Sequence, residues 1–166
     1  QQMAAAVYES VDAVIGSLKS IPIHRLLVFS KTRTFFADVP CLEEAQRIAH
    51  EAWQKAGIDG MHWLNEVSRL SRDNILTQLV DIEIQYFVVN DGCLCGIPQE
   101  AMCEIALDIT NRTNEAKLFF GAYVNGIECY LPTAEEYDKG GFEVLWSNLI
   151  NFRYFGHVMP LNRDTA

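Results

Sequence analysis

A chain of 166 residues, 49% hydrophobic and 21% charged, is long enough to bury one sizeable core. Its 22 acidic residues outweigh 13 basic ones for a net charge of −9, with no basic run, which argues against a nucleic-acid or anionic-membrane partner. Five scattered cysteines (Cys41, Cys93, Cys95, Cys103 and Cys129) do not make a disulfide framework, and no apolar run reaches the roughly 18 residues of a membrane-spanning helix.

The opening stretch, QQMAAAVYESVDAVIGSLK, sets Met3, Val7, Val11, Val14 and Leu18 on one stripe and predicts an amphipathic helix. It lacks the basic n-region of a signal peptide and begins at Gln1, so more chain is expected upstream, and the compartment stays open between cytoplasmic and secreted. HRLLVFSKTRTFFADVP is rich in β-branched and aromatic residues and reads as a strand. Pro40 then opens a helix to about Lys55, with Leu42, Ala45, Ala49, Ala52 and Ala56 at helical spacing and Gly57 as its stop. DGMHWLNEVSRLSRD reads as a further helix.

VDIEIQYFVVNDGCLCGIP is the clearest hairpin: Val80, Ile82, Ile84, Tyr86 and Val88 alternate with Asp81, Glu83 and Gln85, and Asp91-Gly92 is the expected turn. A helix from about Gln99 should bury Met102, Ile105, Ala106 and Ile109. KLFFGAYVNGIECYLP reads as a second hairpin turned at Asn125-Gly126. Thr133-Ala134-Glu135-Glu136 fits a capping box for a short helix that Gly140-Gly141 ends. The tail, FEVLWSNLINFRYFGHVMP, reads as apolar and partly extended. These elements make one α/β (or α+β) layered domain over 1–166, with a mixed sheet containing two β-hairpins and helices packed on it.

Few residues offer chemistry. HEAWQ at His50 falls short of the zinc-protease motif because Gln54 replaces the second imidazole, and His24, His62 and His157 lie far apart in sequence. Cys93 and Cys95 share a strand face without a second cysteine pair, which favours small hydrophobes over a zinc site. A nucleophile elbow, a phosphate loop and a dinucleotide fingerprint are all absent, and Asn111-Arg112-Thr113 matches a glycosylation sequon. Two residues remain. Pro98 sets Glu100 in a helical first turn, where the dipole keeps its carboxylate ionised, as a hard metal ligand must be. A plain helix-start carboxylate is the alternative. Tyr130 ends a strand just before Pro132, as a half-buried sheet residue or as a hydroxyl that ligates a metal or donates to an oxyanion.

Three passages resemble the neutral/alkaline non-lysosomal ceramidase family. VDIEIQYFVVNDGCLCGIPQE is similar to that family's hairpin ending in a G-x-P-G-E type motif. NGIECYLPTAEEYDKGGFE is similar to its N-x-Y-x-x-Y-[IVL]-[PT]-T-x-E-E-Y segment and the Tyr-Glu pair that follows. The opening helix, QQMAAAVYESV, resembles a helix midway through the catalytic domain. The resemblance implies a zinc-dependent amidohydrolase that cleaves an N-acyl (ceramide-like) amide bond of a lipid-like substrate. By motif match it assigns Glu100 to the family's zinc-binding glutamate and Tyr130 to its tyrosine at the zinc, as both metal ligand and catalytic group. Gln99 stands where glycine is usual, and Phe142 where the family has an active-site tyrosine. The family's zinc-binding histidines and catalytic serine lie upstream of the matched region. The chain is therefore expected to be the C-terminal part of a longer catalytic domain, partnered by its upstream half and inactive alone. The alternatives are a non-catalytic ceramidase-like domain and an independent binding module.

Overall fold

A computed structural model describes residues 2–113 and 116–165; Gln1, the first residue of the expected opening helix, lies outside the described residues. In chain order the elements are α1 (Gln2–Ile15), β1 (Leu26–Asp38), α2 (Leu42–Ala56), α3 (Met61–Arg72), β2 (Thr77–Val89), β3 (Gly92–Gly96), β4 (Glu100–Ala101), α4 (Cys103–Thr113), β5 (Leu118–Gly121), β6 (Tyr130–Leu131) and α5 (Ala134–Lys139). A π-helical turn over Phe142–Trp146 runs directly into α6 (Ser147–Phe155). The main sheet has the order β1-β2-β3-β5, antiparallel in its first two pairings and parallel between β3 and β5, with α4 as the crossover. The fold is a mixed α/β arrangement with a mixed sheet, as the alternation of strand and helix patterns implied.

Two cores hold it. The alanine row of α2 (Ala45, Ala49, Ala52) lets that helix sit close to Trp63, Val67 and Leu70 of α3 and to Leu149 and Phe152 of α6. The approach is tight enough that a Cβ on Gly60 would stand 2.9 Å from Ala49 Cβ. Trp63 is fully buried and its indole N–H donates to the Val158 carbonyl at 2.6 Å. Under the sheet, Ala37, Val80 and Ile82 pack with Ile97, Cys129, Leu131 and Leu161. That second core ties the main sheet to the small parallel pair β4-β6.

Four expectations need correction. The hairpin turn is Asn90-Asp91, one residue earlier than Asp91-Gly92, because Val89 pairs with Gly92. Asn90 takes the left-handed φ of 54° that asparagine tolerates, and its side chain accepts from the His24 and Arg25 N–H groups and donates to the Pro22 carbonyl. The second hairpin does not form: β5 pairs with β3 and β6 with β4, and the intervening segment is irregular. The helix expected from Gln99 starts at Cys103, with Glu100 and Ala101 extended. The tail is helical; its aromatic residues suggest strand, but burial of Val144, Asn148, Leu149 and Phe152 at helical spacing decides the outcome. Thr133 caps α5 as expected, its Oγ1 accepting from the Glu136 N–H.

The opening stretch of the chain, residues 2–34, is uncovered. Every residue of α1 is exposed, including the stripe Met3, Val7, Val11 and Val14, and so is β1 from Leu26 to Thr34. Strand register lines Val28, Phe87, Leu94 and Phe119 across one face of the sheet, one from each strand, and all four are exposed.

Candidate functional site

The segment that leaves β3 is held on both sides by the chain that follows β5. The Ile97 N–H donates to the Gly121 carbonyl, and the Ile97 carbonyl accepts from the Val124 N–H at 2.9 Å. Further on, the Pro98 carbonyl accepts from Glu128 N–H, Glu100 N–H donates to the Cys129 carbonyl, and Met102 N–H donates to the Leu131 carbonyl, each at 3.1 Å. These bonds consume the backbone groups that a helical first turn would leave free, so Glu100 is extended rather than at a helix start. Gly96 permits the fit: a Cβ there would lie 2.3 Å from Val124 Cγ2 and 2.9 Å from the Gly121 carbonyl.

This arrangement brings the two sequence-predicted residues together. β4 and β6 run parallel with Glu100 directly opposite Tyr130, and paired residues of a ladder present their side chains on one face. A third residue joins them. Tyr123 lies in the irregular segment with φ 58°, a left-handed backbone that aromatic residues rarely adopt, and its N–H donates to the Gln99 carbonyl. The Glu100 carboxylate lies close enough to the Tyr123 and Tyr130 phenols to act on both. Hydrogen bonding to Glu100, reinforced by burial and by the carboxylate's charge, pushes the Tyr123 phenol up to about 12. The Tyr130 phenol is also raised, chiefly by burial and then by Glu100, with a further contribution from Glu143.

The surroundings fix this trio from behind. Gln99 is fully buried and its amide donates to the Glu128 carboxylate, while its Oε1 has no partner. The Glu128 carboxyl is raised by burial, against the lowering effect of Gln99. The π-helical turn that carries Phe142 and Glu143 packs against β6. Such turns recur at functional sites, because the extra residue redirects side chains. Of that turn's residues Glu143 acts on the Tyr130 phenol, and Phe142, just before it, brings a ring without a hydroxyl.

One carboxylate with two neutral phenols on one face offers an acceptor and two O–H donors. Chemically, it can hold a hard cation through oxygen or donate to a developing oxyanion. A closed zinc shell needs about four donors. Glu100 and Tyr130 supply two oxygens, and among the described residues no group of three His, Cys, Asp or Glu could hold a metal ion. The residues present therefore fit a share of a zinc shell and not a whole one. His24, His50 and His62 are exposed and His157 is buried away in the helical lobe. Cys93 and Cys95 are half-buried on β3, with Cys95 opposite Tyr86, and Cys129 is fully buried with its thiol pushed up to about 12 by that burial.

Tyr123 was invisible to motif reading. It stands in GAYVNG, a cluster of turn-forming residues with no chemical signature, and only the fold turns its side chain to Glu100. Comparison with known proteins found no matching family model, no matching curated protein and no matching solved structure.

Proposed function

We propose that this chain is one part of a ceramidase-like zinc amidohydrolase and carries one wall of its site, acting on a lipid-like N-acyl amide. The observation that carries this reading is the convergence of Glu100, Tyr130 and Tyr123 from three separate segments. Glu100 is the residue that would hold the metal, with Tyr130 as a second oxygen ligand or as a donor to the tetrahedral oxyanion. Zinc, when bound, supplies an activated water and a polarised carbonyl. Tyr123, kept protonated by Glu100, offers a further O–H donor where Phe142 offers none. The remaining metal ligands belong to the upstream half of the same catalytic domain.

Two surface features support the reading. The chain exposes 11,120 Å², whereas a compact monomer of its mass exposes about 8,300 Å². An excess of about 2,800 Å² on one partner is as much as one side of a large obligate interface, and the bare α1 stripe and the start of β1 supply apolar surface for an upstream half to cover. In addition, a groove of about 390 Å³ runs over Val28, Phe87, Leu94 and Phe119 to Val124, the neighbour of Tyr123. Its lining is mostly apolar and suits an acyl chain approaching an amide at Glu100.

The same loss of a hydroxyl at Phe142 favours a second reading, a domain of this fold that binds a lipid-like amide without cleaving it. Both are tested in the full-length parent with a fluorogenic N-acyl sphingoid amide. Under the first reading, Glu100→Gln and Tyr130→Phe each lower kcat/KM by about a hundredfold or more, with zinc content falling for Glu100→Gln. Turnover that both substitutions leave intact would refute the first reading; saturable amide binding without turnover in the wild type would establish the second.

A further inference from the structure

A second site lies in the helical lobe and does not depend on the reading of Glu100. Between α3, the end of α6 and the segment 156–158 is a cleft of about 520 Å³. α3 presents Glu66, Arg69 and Arg72 to it at helical spacing, α6 presents Phe152 and Arg153, and His157 completes the wall.

The arginines differ in how far they are committed. Arg69 is held by Glu66 at 2.6 Å and by Asp73 at 2.9 Å. Arg72 reaches only the Ser68 carbonyl, at 3.3 Å, and Arg153 lies over the Phe152 ring, 5.6 Å from its centre. Among the described residues neither of these two guanidinium groups has a carboxylate within ion-pair distance, although carboxylates outnumber cations in the chain. Two forks without an ion-pair partner, one from α3 and one from α6, line the cleft beside Glu66, whose carboxyl the Arg153 charge helps to lower, and they are suited to bidentate recognition of a tetrahedral anion.

His157 adds the chemical selectivity. It is 1% exposed, and its Nδ1 contacts the Met159 carbonyl at 2.5 Å, which makes Nδ1 the protonated nitrogen and leaves Nε2 as an acceptor. That Nε2 has no partner. Gln78 clamps the flanking backbone, its amide donating to the Gly156 carbonyl and its oxygen accepting from the Val158 N–H, so the histidine is held rather than free to turn outward. A phosphomonoester that keeps its last proton, the minor form at neutral pH because that proton's pKa is about 6, carries oxygens for both guanidinium groups and one O–H for a lone acceptor. Sulfate and carboxylate carry no such proton at neutral pH.

We propose that this cleft binds a phosphomonoester, with Arg72 and Arg153 donating to the phosphate oxygens and the phosphate O–H donating to His157 Nε2. The cleft holds more than a bare phosphate, and the Phe152 ring offers a wall for the ester's carbon skeleton. Such a phosphate belongs either to a soluble ester or to a lipid headgroup.

The test is an NMR titration of the whole chain with inorganic phosphate, glycerol 3-phosphate and sulfate at matched ionic strength. Saturable shifts are expected at the Gly156, His157 and Val158 amides for both phosphates, with sulfate at least about tenfold weaker. The double substitution Arg72→Gln/Arg153→Gln, at exposed positions that leave His157 in place, is expected to weaken phosphate by about tenfold or more. Sedimentation with phosphatidylcholine vesicles, with and without phosphatidic acid, assigns the source: capture that depends on phosphatidic acid and on both arginines marks a headgroup, and its absence beside soluble binding marks a soluble ester. No saturable shift, equal response to sulfate, or indifference to the double substitution overturns the proposal.

Discussion

Replacing Glu100 by Gln tests the geometry of the candidate site without any assay of turnover. The substitution keeps the shape of the side chain and one acceptor oxygen but removes the charge. In the native protein the Tyr123 phenol is pushed up to about 12, first by hydrogen bonding to Glu100 and then by burial and the carboxylate's charge. Tyrosine free of such partners titrates near 10, so Glu100→Gln should lower Tyr123 from about 12 toward that value, stopping short of it by the part that burial contributes. Tyr130 should fall less, because burial is the first cause of its shift and survives the substitution. The sign of the stability effect follows. Folding favours the protonated phenol, so the contribution is complete below about pH 10 and is lost as pH rises through about 12. The variant should therefore show a shallower alkaline loss of stability. Tyrosine ring-carbon NMR between pH 8 and 12 reads the titration directly, with Tyr123→Phe to assign the signal. A Tyr123 that titrates near 10 in the native chain, or stays near 12 in Glu100→Gln, would refute the shared site.

Gly96→Ala drives a methyl into Val124 Cγ2 and the Gly121 carbonyl; the valine can turn but the carbonyl cannot. A loss of about 1–3 kcal/mol in urea denaturation is expected, with Tyr123 partly released from Glu100, and unchanged stability would mean that this loop is not seated against the sheet as described. Trp63→Phe removes the donor to the buried Val158 carbonyl and part of the fully buried ring. Thermal unfolding should report a loss of about 2–4 kcal/mol; a loss below about 1 kcal/mol would contradict the packing of the helical lobe.

How far the sequence speaks depends on whether a residue's partners are near it in the chain. The α2 alanine spacing and Gly57, the alternation in β2, and the Thr133 cap are local signals, and each matches the fold. The turn at Asn90-Asp91 was missed by one residue because Asn-Asp-Gly allows two placements, and contacts from the distant His24, Arg25 and Pro22 select one. Glu100 and Tyr130 are legible as candidates from their places after Pro98 and before Pro132, and the resemblance gives them their roles. Their meeting depends on a parallel pairing of two-residue strands, which no periodicity can announce. Tyr123 needed both that pairing and a left-handed backbone to come into view.

The long ladder between β1 and β2 also sets an order of assembly. Its pairs run from Asp38 with Thr77, closest along the chain, to Leu26 with Val89, the farthest apart. α2 and α3 fill the loop between the strands with local contacts, and they shorten the search that closes it. Once Asp38 meets Thr77 the strands can zip outward, each pair delivered by the one before. The same zipper is fastened unevenly. Near its closed end Ala37, Val80 and Ile82 sit in the core, whereas β1 from Leu26 to Thr34 is bare toward the open end. Amide exchange should therefore grade along β1, slow at Ala37 and progressively faster toward Leu26, so that the strand frays from its free end as a ribbon does.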